Sequence, residues 1–338
     1  AGSIQVSSDN FSSCVRMSTE PTASDNTNRT FTLNPNDNLS YYTTYKVIVT
    51  REGYPAAKDV LRNNMSSQYD SSVFKTSSYP SSSPISGVFV GVGQYGKEVR
   101  SIDNGTSWDN ETCQILTDLD GVTSGNNTFV AVGESGKILR STDNGSSFST
   151  VSPYYGGNSY GVTFGNNTFV GVSNAGRTGR STDNGTSFSP VNSNQSYHLN
   201  GVTFGNNTFV AVGQSGKILR STDNGSSWDN STSPITTTLY GATFGNNNFV
   251  AVGSGGKIVR STDNGTSFDN ATSNTSSLLY GVTFGNNTFV GVGQNGEIVR
   301  STDNGATWND AISPITTTLF GVTFGNDTFV AVGASGKI

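Results

Sequence analysis

The residues in this chain that could do chemistry are few, and most recur at a fixed interval. Aspartates Asp103, Asp143, Asp183, Asp223, Asp263 and Asp303 stand 40 residues apart, each shortly after an arginine: Arg100, Arg140, Arg180, Arg220, Arg260 and Arg300. Hydrolysis of a glycosidic bond needs two carboxylates that close on one bond. Groups repeated at a constant period occupy equivalent places in equivalent units, so they point alike and do not converge. Glu134 and Glu297 are isolated substitutions in one turn of the repeat and form no pair. His198 is the only histidine. There is no HExxH helix, Cys and His cluster or G-x-S-x-G elbow to hold a metal or activate a serine. The sequence names no catalytic residue, no metal site and no cofactor, and a hydrolase is the least favoured class.

Binding is the alternative. The segments joining successive units differ most, reading SPYYGGNSY, SNQSYHLN and SNTSSLLY against SPITTTLY and SPITTTLF. Two of these joins gather Tyr154, Tyr155, Tyr160, Gln195, Tyr197 and His198, with Asn158 and Asn200 beside them. Aromatic faces next to amides suit sugar rings, which offer apolar C–H patches and hydroxyls. Loop drift, or packing between units, explains the same residues without a ligand.

The chain has 338 residues and a formal net charge of -5. Lysines and arginines are spread one or two per unit, so no basic stripe tracks a phosphate backbone, and nucleic acid is set aside as a partner. No apolar run reaches the length of a membrane span, and no signal segment is present at the Ala1 end, although one can already have been removed. The Ser, Thr, Asn and Gly richness correlates with exported bacterial surface proteins, so the expected location is extracellular or at the cell surface. Cys14 and Cys113 are the two cysteines. They can form one bridge in an oxidising compartment, or be two unrelated buried side chains. N-x-S/T sequons such as Asn110, Asn144, Asn206 and Asn270 fall mostly in turns, where asparagine is wanted for its tolerance of positive φ.

The elements that must position all of this are strands. One unit reads LYGATFG, an Asn-Asn turn, NFVAVG, a Gly-rich turn, KIVRSTD, a D-N-G turn and TSFDNAT. Short runs of Val, Phe, Ile and Thr cut by Gly and Asn read as a four-stranded antiparallel meander. A meander repeated at this period without insertion predicts stacked blades, each covered on both faces by its neighbours. The expected fold class is all-β: a β-propeller over 88–338, preceded by a linker at 78–87 and a non-repeating domain at 1–77. The aspartate turns are followed by GVTFGNDTFVAVGASGKI, which opens a further unit. Seven blades with imperfect ends therefore fit better than six with a surplus strand.

The turn S-T-D-N-G-[ST]-[ST]-[WF], as in residues 221–228, resembles the Asp box of sialidases and of the photosystem II assembly-factor propellers. The resemblance implies that these aspartates are folding devices lying away from any active centre, with calcium binding a distant second because the spaced carboxylates of a calcium loop are lacking. Sialidase chemistry needs three converging arginines, an acid and a Tyr-Glu pair. The arginines here take equivalent places on the third strand, where their stems would lie on the sheet and pair with nearby acids. In the first domain, SIQVSSDNF, TFTLNP, TTYKVIVT and SSVFKTS resemble the bacterial Ig-like domains found beside surface and S-layer proteins, which implies an N-terminal β-sandwich.

GSIQVSSDNFSSC from Gly2 also aligns with GKILRSTDNGSSW from Gly216, the piece that the last unit lacks. The expected function is thus a non-enzymatic surface module that binds a glycan or a surface protein through propeller loops. The alternative is a self-assembling subunit of a fibre or layer, completed by its neighbour's strand. A sialidase-like glycosidase comes third.

Overall fold

The computed structural model describes residues 87–112, 117–151 and 157–338, and, of the preceding part, the backbone strands Gly2–Ser7, Thr22–Ala23, Phe31–Thr32, Thr44–Arg51 and Phe74–Lys75. Tyr154, Tyr155, Cys14 and Cys113 lie outside the described residues. The chain divides into two compact units, Ala1–Ser83 and Pro84–Ile338. In the first, Thr44–Arg51 pairs antiparallel with Gly2–Ser7 and with Phe74–Lys75. Gly2–Ser7 is therefore used as a strand of its own domain.

The second unit is a succession of seven small sheets, here numbered as blades. Blade 1 comprises Phe89–Val92, Lys97–Ser101 and Asp109–Thr112, and blade 7 comprises Leu319–Gly325 and Thr328–Gly333. Blades 2 to 5 each form a four-stranded antiparallel meander, as in blade 4 with Leu199–Gly205, Thr208–Gly213, Ile218–Ser221 and Asp229–Asn230, and blade 6 adds Thr272–Ser273, which follows blade 5, in parallel to the outer strand of its own meander. The Asn-Asn turns join the first two strands with both residues left-handed, φ 46° at Asn206 and 57° at Asn207. That is the twist a two-residue hairpin needs, and asparagine accepts it at little cost.

Burial explains the absence of clean alternation. The second strand of blade 4, TFVAVG, is buried at every position, because each of its faces meets another sheet. The apolar clusters straddle blades: Val210, Val212 and Ile218 of blade 4 pack with Leu239, Phe249, Ala251, Val259 and Phe268 of blade 5. Burying a side chain such as Phe249 stabilises by roughly 1.5–3 kcal/mol, so no blade is stable without its neighbours.

The first strands form the inner wall. A methyl group on Gly161 would lie 3.1 Å from the carbonyl oxygen of Asn200 and 3.4 Å from the Gly201 Cα, so glycine lets successive first strands converge. Further along, the Phe204 ring sits where a Gly165 side chain would begin, 2.1 Å from the ideal Cβ position, and it packs on Phe209 with ring centroids 4.6 Å apart. The ring closes. Asn166, Asn206 and Asn246 each donate an amide to the D-N-G asparagine of the next blade, Asn224, Asn264 and Asn304, at 3.1, 3.1 and 3.0 Å. Asn326 of blade 7 makes the same bond to Asn104 of blade 1 at 2.6 Å.

Blade 3 departs from the repeat at Thr178 and Gly179. Thr178 is fully buried and donates its hydroxyl to the Val191 carbonyl at 3.0 Å. The fourth strand there, Ser189–Asn192, pairs along the whole third strand from Arg177 to Arg180. A longer ladder offsets the lost apolar contact.

Candidate functional site

The propeller has two chemically different faces. One carries the Asn-Asn and D-N-G turns. In blade 4, Asp223 Oδ1 accepts from the Ser221 hydroxyl and the Ser226 and Ser227 amides, while Oδ2 accepts from the Ser227 hydroxyl at 2.6 Å. The Ser221 hydroxyl in turn accepts from the Gly225 amide at 2.9 Å. Asp103, Asp143, Asp183, Asp263 and Asp303 make equivalent bonds in their own turns. Donors aimed at an ionised carboxylate lower its pKa. Asp103 falls to about 2, chiefly through the Ser107 hydroxyl and amide and the Ser101 hydroxyl. At Asp303 burial pulls upward, but the Thr307 and Ser301 bonds outweigh it and hold the group at about 2.

The arginines serve the seams between blades. Arg100, Arg140, Arg180 and Arg220 donate Nε to the carbonyls of Asn144, Asn184, Asn224 and Asn264 in the next blade at 2.7, 2.8, 2.6 and 2.8 Å. The expectation of pairing with nearby acids gives way to a backbone partner, because the D-N-G turn presents its carbonyl beside each stem. These four are thereby held one per seam, whereas Arg260 donates Nε to Asn248 Oδ1 of its own blade at 3.3 Å.

The opposite face carries the joins and the three-residue turns between second and third strands. Tyr160 and His198 come together there, with rings stacked at 6.0 Å and 18°. Tyr197 is turned outward, 40% exposed, with Lys217 Nζ 5.5 Å above its ring. Gln195 lies over the turn of its own blade, its carbonyl against Gly176, and Ser193 donates its hydroxyl to the Gly176 carbonyl. The structure therefore joins Tyr160 to His198 and sets Tyr197 and Gln195 apart.

Sequence reasoning missed a second set of residues on this face. Where each first strand begins, its register against the second strand slips by one residue. The extra residues are Tyr160, Asn200, Tyr240, Tyr280 and Phe320, with Asp120 at the same place in blade 2. A bulge re-aims the side chain it adds and is favoured beside functional sites. Here the bulged side chains lie next to one another along the inner wall. Tyr240 and Tyr280 have centroids 5.3 Å apart, and Tyr280 and Phe320 5.5 Å. Phe320 is 55% exposed. Asn200 donates its amide to the Leu239 carbonyl at 2.7 Å.

Asp120 closes this row at the blade 2 end. Its carboxyl keeps solvent contact while neighbouring strands crowd it; burial, then the negative charges of Asp118 and Glu134, push it up to about 6. The signal in the sequence was the column between Leu and Gly in L-x-G, reading Asp, Asn, Tyr, Tyr and Phe while its surroundings stay constant. Among the described residues, no group of His, Cys, Asp and Glu could hold a metal ion, and no helix is long and apolar enough to cross a membrane.

Residues 3–76 match the bacterial Ig-like domain family. No curated protein matches the chain. Among solved structures, YCF48 bound to D1 peptide superposes with a TM-score of 0.60 at 19% identity, over 73% of this chain and 85% of that one. YCF48 from Cyanidioschyzon merolae gives 0.58 at 16%, over 73% and 88%. The WD40 β-propeller domain of Doa1 gives 0.60 at 14%, over 75% and 89%. The protein is an Ig-like domain followed by a β-propeller.

Proposed function

We propose that this chain is a non-enzymatic recognition module of an exported or cell-surface protein, whose propeller binds a protein or glycan ligand on the face formed by the joins and the first-strand bulges. One observation carries the reading. The turn aspartates are engaged by their own loops, whereas the side chains that differ from blade to blade gather on the opposite face. Propellers place variable groups on a rigid ring in this way, and function resides in such grafted sites and not in the fold. The D1 peptide bound by YCF48 supports a protein ligand, and the Ig-like domain supports a surface setting. Arrays of glycans and of peptides probed with the full chain test it. Binding should weaken about tenfold in Tyr197→Ala or His198→Ala, a loss typical of a contributing aromatic contact. An array on which nothing binds would remove the reading.

A further inference from the structure

The three-residue turns between second and third strands each end on a charged residue at the face of the joins, and in blades 3, 4 and 5 these are Arg177, Lys217 and Lys257. We propose that the three cations form a binding row for an acidic polysaccharide, a linear sugar chain bearing carboxylates or sulfates, with the Tyr197 ring as the surface on which one sugar packs. The proposal rests on the binding role argued above and names the ligand chemistry.

Four observations lead to it. First, the three turns are neighbours. Gly176 of the blade 3 turn lies against the Gln195 carbonyl, and further along that join the Gln214 amide of the blade 4 turn donates to the His198 carbonyl at 2.9 Å. Gly216 and the Ser254 amide hold the next join in the same way, through the carbonyls of Ile235 and Thr238. A single join therefore separates each turn from the next. Second, the backbone under these charges is fixed. The Lys217 amide donates to the Gln214 carbonyl at 3.1 Å and its carbonyl accepts from the Gly213 amide at 2.9 Å; Lys257 does the same with Ser254 and Gly253. A row placed in advance loses less freedom when a ligand arrives.

Third, the cations are unanswered. Among the described residues no carboxylate pairs with Arg177, Lys217 or Lys257. Between Asp143 and Glu297 the acids are Asp183, Asp223 and Asp263 in the D-N-G turns of the opposite face, and Asp229 and Asp269 in fourth strands. The row is also bounded. At the blade 2 end Glu134 sits in the turn and Asp118 accepts from the Tyr95 amide at 2.8 Å, and in blade 6 Glu297 takes the place of the lysine. A face of one sign between acidic ends draws a polyanion onto three blades. Fourth, Tyr197 keeps 40% of its surface open with Lys217 Nζ above its ring, and the joins beside it are built from Ser, Thr, Asn and Gln. Hydroxyls and amides around one aromatic ring suit a hydroxyl-rich chain and offer a peptide few apolar anchors.

The test titrates the full chain, by calorimetry, with dextran, dextran sulfate, polygalacturonate and poly-glutamate. At least one of the two acidic polysaccharides should bind, the tighter of them naming the anion, and neutral dextran should not. Affinity should fall steeply as salt rises from about 50 mM to about 500 mM. Arg177→Gln, Lys217→Gln and Lys257→Gln should each weaken binding about threefold, the worth of one exposed ion pair, whereas Lys97→Gln, outside the row, should leave it unchanged. Glu297→Lys should lengthen the row and tighten binding about threefold. Poly-glutamate should bind about fivefold more weakly than the better polysaccharide, and Tyr197→Ala should remove that difference. Circular dichroism and thermal melts of each variant verify the fold. Dextran bound as tightly as its sulfate, equal affinity for poly-glutamate, a loss in Lys97→Gln as large as those in the row, or no binding of either acidic polysaccharide would overturn the proposal. If the arrays nevertheless show a neutral glycan or a peptide held through Tyr197 or His198, the broader reading stands and this inference alone falls.

Discussion

At the residue scale, the D-N-G turns show how one side chain can hold a loop together through four hydrogen bonds. Asp103 and Asp303 titrate at about 2 in the native state against 3.8 for an unstrained aspartate. Between those values the unfolded chain binds more protons than the folded one, so the contribution of these two groups to stability should be level above pH 4 and fall as pH drops from about 4 to about 2. Urea midpoints measured across that range check it. The slope should be shallower in Asp303→Asn, which keeps one acceptor oxygen and no longer titrates. Tryptophans under the turns provide a second check. Trp308 donates Nε1 to the Gly305 carbonyl at 3.0 Å, whereas buried Trp228 Nε1 meets no protein acceptor. Phenylalanine holds that place in blade 5 as Phe268. Trp308→Phe should therefore cost about 1 kcal/mol more than Trp228→Phe in denaturant unfolding, the worth of one buried hydrogen bond.

At the element scale, the three-residue turns between second and third strands share one backbone shape and carry different residues. The central residue is left-handed in each, with φ of 55° at Ser135, 52° at Ala175, 55° at Ser215 and 64° at Gly255. Alanine has no side-chain hydrogen bond to offset that conformation, which costs roughly 1–2 kcal/mol for an L-residue. Glycine regains most of this but loses more entropy on folding. Ala175→Gly should raise stability by up to about 1 kcal/mol, and Gly255→Ala should lower it by a similar amount. The Gly255 position has no atom within 4 Å of an added methyl, so the measured change reports backbone strain without a clash. Paired thermal melts of the two variants decide it, and changes of the same sign would refute the strain account.

At the scale of the whole molecule, stability resides in seams. Each seam from blade 2 through blade 7 sets a phenylalanine of one blade into the glycine notch of the one before, as Phe204 meets Gly165 and Phe324 meets Gly285, both at 2.1 Å from the ideal Cβ. At the closing seam, the described residue nearest the Cβ position of Gly325 is Phe89, from the blade 1 strand equivalent to the second strands elsewhere, at 3.2 Å. Gly165→Ala should overpack its seam and cost about 2–3 kcal/mol. Gly325→Ala requires only a small shift of Phe89 and should cost under about 1 kcal/mol. Equal losses in denaturant unfolding would show that the closing seam is as tight as the others.

Much of this architecture was legible in the chain itself, because repetition fixes local chemistry. An Asn-Asn pair needs left-handed backbone, S-T-D-N-G supplies its own donors and acceptors, and a fixed period without insertion demands identical neighbours. These are short-range facts, and they were sufficient to read blades and to place the aspartates in self-bonded turns. What repetition could not convey is how the units meet. The partners of Arg100, Arg140, Arg180 and Arg220 lie in the following blade, and Asn326 finds Asn104 only because a ring brings the two ends of the repeat together. The row from Asp120 to Phe320 arises from a one-residue slip that each first strand makes against its second. In the sequence that column is one alternating position among many; only strand pairing reveals the extra residue, and only ring closure sets six of them side by side.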